Sequence, residues 1–287
     1  MSFELLNRAL IELEGAMCDC GSKLILGGGF GLFLCQNQME EDESKPTLIR
    51  SEAWCVPRAT ADLDIFLETS ILASIEQMQA IRKCLDGLGY TVIEGVEFLH
   101  FEKHFSDTER VEINFLTGPI TDQELAKKVQ VRRPRARARG NVQLHAYLTD
   151  EAVGLSEHLR PIGKRPDGED TNLFVPHPAT LLVMKLHAFR DRLAKGEAEK
   201  SGHHAIDVYR ILCLLDEETF AECKGILIEN ADVAAVTSAA EIVGTYFQSL
   251  DQMGFVKIRE HVLYRDDFDL ETMRSVLLEF LTFGKQK

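Results

Sequence analysis

No stretch of this chain stays apolar for the roughly 20 residues that a bilayer-spanning helix needs, so no transmembrane segment is expected in it. The opening residues, MSFELLNRALIELEG, lack a basic region followed by an apolar block, so no secretory signal is expected either. A disulfide framework is also missing. The seven cysteines are odd in number and irregularly spaced. Cys18 and Cys20 form C-x-C, with no second pair at zinc-ligand spacing. Free thiols in a reducing, cytoplasmic setting are the expectation. Positive charge is scarce: 32 Lys and Arg stand against 46 Asp and Glu, a formal net charge of -14. Such a chain repels phosphate at long range, which argues against general nucleic-acid binding. Neither G-x-G-x-x-G nor a glycine-rich loop ending in Gly-Lys-Ser/Thr is present, excluding the dinucleotide fingerprint and the P-loop. There is no internal repeat and no low-complexity tract.

What is present is a globular composition, 45% hydrophobic and 27% charged over 287 residues, enough for one large domain or two ordinary ones. Phe3, Leu6, Leu10, Leu13 and Met17 recur at helical spacing. KLILGGG reads as a short strand running into glycines, FGLFLCQNQ as an apolar helix, and residues 39–47 as a polar, acidic loop. RATADLDIFLE, residues 58–68, reads as the next strand. Residues 70–89 read as a helix with Ser70 as N-cap and Gly89 ending it. YTVIE, FLHFEKHF and RVEINFL read as strands. The middle is a connection with some β character, including RPIGKRPDGEDTN. After Pro176 the periodicity is helical throughout. The expected fold is therefore α+β: a mixed β-sheet domain with flanking helices over residues 1–175, its basic connection at 127–139, then a helical C-terminal domain over 176–287.

Two features carry chemistry. Gly27, Gly28 and Gly29 sit between an apolar strand and an apolar helix, where backbone N–H groups can approach a phosphate at a helix N-terminus. Taken alone, a plain tight turn is the better reading of them. Asp62 and Asp64 are two apart on a strand and so project to one side, with Leu63 and Ile65 on the other. Carboxylates held side by side repel, and a cation between them relieves this. Mg²⁺ takes few protein carboxylates together with water and substrate phosphates. A polar strand face meeting water is the simpler alternative.

The glycine corner followed by R-x-T-x-D-L-D (Arg58, Thr60, Asp62, Leu63, Asp64) resembles the polymerase-β-like nucleotidyltransferase superfamily, and within it the AbiEii-type nucleotidyltransferase toxin family. The resemblance spans roughly residues 20–216, including a later lysine helix, KLHAFRDR, and GHHAIDVYRIL. It implies a nucleotidyltransferase-like fold and transfer of a nucleoside monophosphate from an NTP to an RNA (such as a tRNA end) or protein acceptor, with Mg²⁺ or Mn²⁺. It also implies a toxin paired with a cognate antitoxin protein. Gly28, Gly29, Arg58, Thr60, Lys185 and Arg190 would bind the nucleotide, with Lys185 reaching the cleft from the helical domain. Asp62, Asp64 and Glu112 would hold metal and carry catalysis. Three departures stand out. Gly28-Gly29 replaces the superfamily's frequent Gly-Ser. The third acid falls at Glu112 or at the position of Asn114. His203-His204-x-x-Asp207 replaces Lys-Asp-x-x-Asp, leaving His204 and Asp207 as supporting residues. A non-catalytic nucleotide-binding or protein-interaction member of the fold is the alternative. Hydrolysis or kinase-like transfer is a third possibility.

Lys185 and Arg190 are open between nucleotide contacts and solvated edge positions. His203, His204 and Asp207 suit surface or supporting roles better than a metal site. His187, among apolar neighbours, reads as a satisfied core histidine. RRPRARAR, with Arg132, Arg133, Arg135, Arg137 and Arg139, forms an extended ribbon with its charge on one side. It could grip RNA phosphates or dock on the chain's own acidic surface, and it holds no aromatic residue for base stacking.

Overall fold

The computed structural model describes residues 3–41, 46–58, 60 and 62–281. They form two compact units. The first contains 1–38, 59–150 and 155–176; the second contains 39–58, 151–154 and 177–287. The segments 39–58 and 151–154 thus cluster with the helical part of the chain, although they precede Pro176.

In chain order the first part gives α1 (Phe3–Asp19), β1 (Leu24–Leu26), α2 (Gly28–Glu41), β2 (Asp62–Leu67), α3 (Thr69–Leu72), α4 (Ile75–Gly87), β3 (Thr91–Val92), β4 (His100–His104), β5 (Arg110–Thr117), α5 (Gln123–Lys128), β6 (Val129–Arg132), β7 (Arg135–Ala138), β8 (Ala146–Leu148), β9 (Leu159–Lys164) and β10 (Asp170–Pro176). The strands make one mixed sheet, ordered β6-β7-β8-β5-β2-β1-β10-β9, with β4 also on β5 and β3 on β4. β2 and β5 run parallel, pairing Asp62 with Glu112 and Asp64 with Asn114. β4 runs antiparallel along the other edge of β5, pairing His100 with Asn114 and Glu102 with Glu112.

Alternation decides which face is core. Leu63, Ile65, Val111, Ile113 and Phe115 are fully buried in one apolar cluster with Leu6, Leu10, Leu13 and Met17 of α1 and Met78, Ile81 and Leu85 of α4. Residues of β2 and β5 that alternate with these, Asp62, Asp64, Glu112 and Asn114, are only half-buried. The polar face is thus the price of a period of two on strands whose other face is core.

Several local expectations change. The single helix expected over 70–89 is two helices. Ser74 is extended and its hydroxyl accepts from Gln77 N–H, capping α4, while Ser70 lies inside α3. Gly89, at φ +84°, does lie just past the end of α4. The acidic stretch read as a loop from residue 39 is helical as far as Glu41, and 42–45 lie outside the described residues. The strand expected over 58–68 is ordered as strand only from Asp62 to Leu67, and Ala59 and Ala61 lie outside the described residues. The charged connection RPIGKRPDGEDTN is a hairpin, β9–β10, whose second strand pairs parallel with β1.

The second unit holds α6 (Pro178–Ala194), α7 (Ala198–Cys213), α8 (Glu217–Glu229), α9 (Ala234–Tyr246), α10 (Met253–Arg259) and α11 (Leu270–Leu281). Pro178 opens α6 at the position where a missing N–H costs nothing. Asp216 caps α8 by accepting from Thr219 N–H at 2.7 Å. No helix among the described residues is long and apolar enough to cross a membrane.

Candidate functional site

The half-buried sheet face gathers the acids. Asn114 Nδ2 donates to Asp62 Oδ2 at 3.1 Å and to Asp64 Oδ1 at 3.0 Å. The two carboxylates therefore converge on one neutral amide nitrogen. Thr60 Oγ1 donates to Asp62 Oδ1 at 2.5 Å. Asn114 thus occupies the place between the aspartates, while Glu112, one row away, pairs with Arg110 at 2.9 Å. Arg110 also meets Glu102 at 3.3 Å. Of the two candidates for third acid, the one at the aspartates is the amide, and the carboxylate is engaged by an arginine.

The glycine corner backs onto this pair. Gly27 N–H donates to Asp64 O at 2.8 Å, tying the corner to β2. Gly28 begins α2 with φ +61°, and a Cβ there would collide with Asp64 Oδ2. Glycine is needed at residue 28 both for conformation and for space. The consequence is electrostatic: the Asp64 carboxylate lies beside the first turn of a 14-residue helix, where the orphan N–H groups and the macrodipole favour negative charge. Gly28 and Gly29 contribute amides to that turn.

Two further side chains share the face, and neither was legible as a site residue in the sequence. His100 stands opposite Asn114 across β4–β5. Its Nε2 is 2.8 Å from Tyr147 Oη on β8. Burial lowers the affinity of the His100 ring for a proton, against the pull of Glu112, Asn114 and Asp62, so the ring is neutral at neutral pH. Tyr147 stands opposite Arg135 on β7, and Arg135 and Arg137 alternate with fully buried Ala136 and Ala138. The basic ribbon is thus extended, as its alternation predicts, and its half-buried arginines lie on the sheet face that carries the aspartates. Arg137 binds Gln130 Oε1 at 2.7 Å, Arg139 Nε donates to Val129 O at 3.2 Å, and Arg133 pairs with Asp150. Arg132 and Arg139 are exposed.

The helical unit holds a second charged cluster. Asp207 on α7 is completely buried and accepts from Lys185 Nζ of α6 at 2.8 Å and from Arg210 Nη1 at 3.1 Å, with Arg58 Nη2 at 3.6 Å. Burial opposes ionisation of Asp207, but Lys185, Arg210 and Arg58 outweigh it and hold its carboxyl well below the usual range. Lys185 is not a solvated edge lysine: it is 8% exposed. Nor is Asp207 a surface residue. The signal for this cluster in the sequence is Arg210, three residues on from Asp207 and so on the same helix face.

His204 is pushed down to about 3 by burial, then by Lys185. His203 Nδ1 lies 2.9 Å from His261 Nε2. Leu263 N–H donates to His261 Nδ1, which sets the His261 tautomer to donate from Nε2. His187 is a buried core histidine bonded to Ala235 O at 2.8 Å, as expected. Arg190 binds Ser238 Oγ at 2.8 Å and Asp191. Among the described residues no group of three or more His, Cys, Asp or Glu converges as a metal site. Comparison with family models, with curated proteins and with solved structures finds no match to this chain.

Proposed function

We propose that the chain is a metal-dependent nucleotidyltransferase of the polymerase-β-like kind, moving a nucleoside monophosphate from an NTP to a hydroxyl of an RNA or protein acceptor. The observation that supports it is the convergence of Asp62 and Asp64 on a single point beside the α2 N-terminus. Two carboxylates converge on one amide, and the donor set fits a hard divalent cation: carboxylate oxygens, and an amide whose oxygen and nitrogen exchange places on a half-turn. Asp62, Asp64 and Asn114 would hold Mg²⁺ or Mn²⁺, which supplies charge neutralisation for the NTP phosphates. First-turn amides at Gly28 and Gly29 favour those phosphates.

The acceptor hydroxyl attacks the α-phosphorus, the bond to the bridging oxygen breaks, and pyrophosphate leaves. With Asn114 where a third acid is expected, the neutral His100 takes the proton. The acceptor hydroxyl gives its proton to Tyr147 Oη as Tyr147 gives its own to His100 Nε2. Arg135 and Arg137, on the same sheet face, favour an RNA acceptor, whose phosphates they would bind. A cytoplasmic toxin held by an antitoxin partner follows from the family resemblance alone. The resemblance also gives Arg58, Lys185 and Arg190 to the nucleotide; Lys185 and Arg58 share Asp207.

The second reading is a nucleotide-binding member of the fold without catalysis, favoured by Asn114 between the aspartates and by Glu112 in its pair with Arg110. Incubation with α-labelled NTPs, Mg²⁺ and total RNA separates the two. Transfer that is lost in Asp64→Ala supports catalysis. Mg²⁺-dependent NTP binding with no transfer supports the second reading, and transfer undiminished in Asp64→Ala removes the assignment of these aspartates.

A further inference from the structure

Two thiols of the sheet unit approach within the ordinary contact distance of sulfur atoms. Cys20 follows the last turn of α1 and Cys84 lies in the last turn of α4; their Sγ atoms are 2.8 Å apart across 64 residues of sequence. A disulfide requires about 2.05 Å, so closure needs a shift of roughly 0.8 Å. The approach is set by the core rather than by local chain, because Leu13 and Met17 of α1 and Ile81 and Leu85 of α4 anchor both helices in one apolar cluster. Both cysteines are half-buried, so a small reagent can reach them. Cys18, the other member of the C-x-C, is exposed.

We propose that Cys20 and Cys84 are a redox-active dithiol site that exchanges with small disulfides of the glutathione class and closes a covalent staple between α1 and α4. Burial, then the hydrogen bond and charge of Cys84, push the Cys20 thiol up to about 12, so Cys20 keeps its proton. In the exchange Cys84 loses its proton and attacks first. It forms a mixed disulfide with one half of oxidised glutathione and releases the other half as a thiol. Cys20 then attacks the Cys84 sulfur, loses its proton and expels the second glutathione. The two protein thiols lose two electrons, the small disulfide gains them, and the two protons end on the two glutathione thiols.

The test uses the reduced full chain, oxidised glutathione, trapping with N-ethylmaleimide, and peptide mapping by mass spectrometry without reduction. The expected product is a peptide pair joined through Cys20 and Cys84 with the loss of two hydrogens. Cys18→Ser retains this product, and Cys84→Ser loses it while the chain stays folded by circular dichroism. If Cys18 becomes fully glutathionylated while Cys20 and Cys84 both remain alkylatable, the proposal fails. A crosslink that joins Cys18 to either of them overturns it as well.

Discussion

The two charged clusters of this protein are opposites. On the sheet face, two carboxylates share one neutral amide. In the helical unit, one buried carboxylate is surrounded by Lys185, Arg210 and Arg58, and positive charge is in excess. The sheet cluster is half-buried and made of short side chains on paired strands, so water or an ion can reach it. The helical cluster is sealed: Asp207 and Arg210 are 0% and 2% exposed. A sealed ion pair is held by what its removal would cost, whereas an open carboxylate pair is available for chemistry. The difference suits Asp207 to a structural load and is consistent with the ligand role proposed for Asp62 and Asp64.

Asp207→Asn attacks the sealed side. It leaves Lys185 and Arg210 as buried, unpaired charges, and the expected loss is about 3–5 kcal/mol of stability, read by urea unfolding. The equivalent change on the open side, Asp64→Asn, removes repulsion and should leave the unfolding midpoint within about 1 kcal/mol of wild type in metal-free buffer. Similar losses from both variants would erase the contrast.

Acid tests the helical unit next. His204 titrates near 3 in the folded state and near 6.5 when unfolded, so below pH 6.5 the unfolded chain binds the extra proton. The His204 contribution is therefore complete above pH 6.5 and falls as the pH drops toward 3, by about 2 kcal/mol at pH 5. Burial also lowers His203 and His261, adding in the same direction. Thermal melts of wild type and His204→Phe across this range should converge at low pH if His204 carries the effect, and run parallel if it does not.

Gly28→Ala probes the contact between the glycine corner and Asp64. A left-handed backbone and the collision with Asp64 Oδ2 should cost about 1–3 kcal/mol. Asn114→Asp should have a modest effect: a third carboxylate lowers metal-free stability by about 1–2 kcal/mol, and excess Mg²⁺ should restore it. Restoration in Asn114→Asp, but not in a companion Asp64→Ala, places the ion at the aspartates; equal responses to Mg²⁺ place it elsewhere.

Much of the sheet face was legible because a period of two is a local property. Asp62 and Asp64 read as a pair, Glu112 and Asn114 read as sharing a side, and the arginine ribbon read as extended. His100 and Tyr147 were not legible, because their nearness to Asn114 depends on the register of β4 and β8 against β5, which no local pattern encodes. The choice between Glu112 and Asn114 was invisible for the same reason: a parallel register sets Asn114 opposite Asp64. The β9–β10 hairpin was hidden by its Pro, Gly and charged residues, which suit an edge hairpin as well as a loop. In the helical unit, helices were evident from periodicity, but burial of Lys185 and Asp207 comes from the packing of α6 on α7. An ionisable residue on an apolar helix face looks the same in sequence whether it is sealed or solvated.

The central claim is that Asp62 and Asp64 form a divalent-cation site, and Mn²⁺ binding followed by electron paramagnetic resonance tests it most directly. With NTP present, wild type should bind Mn²⁺ at a site that is lost in Asp64→Ala, while Asp207→Asn, where folded, should retain it. Undiminished Mn²⁺ binding by Asp64→Ala would contradict the claim.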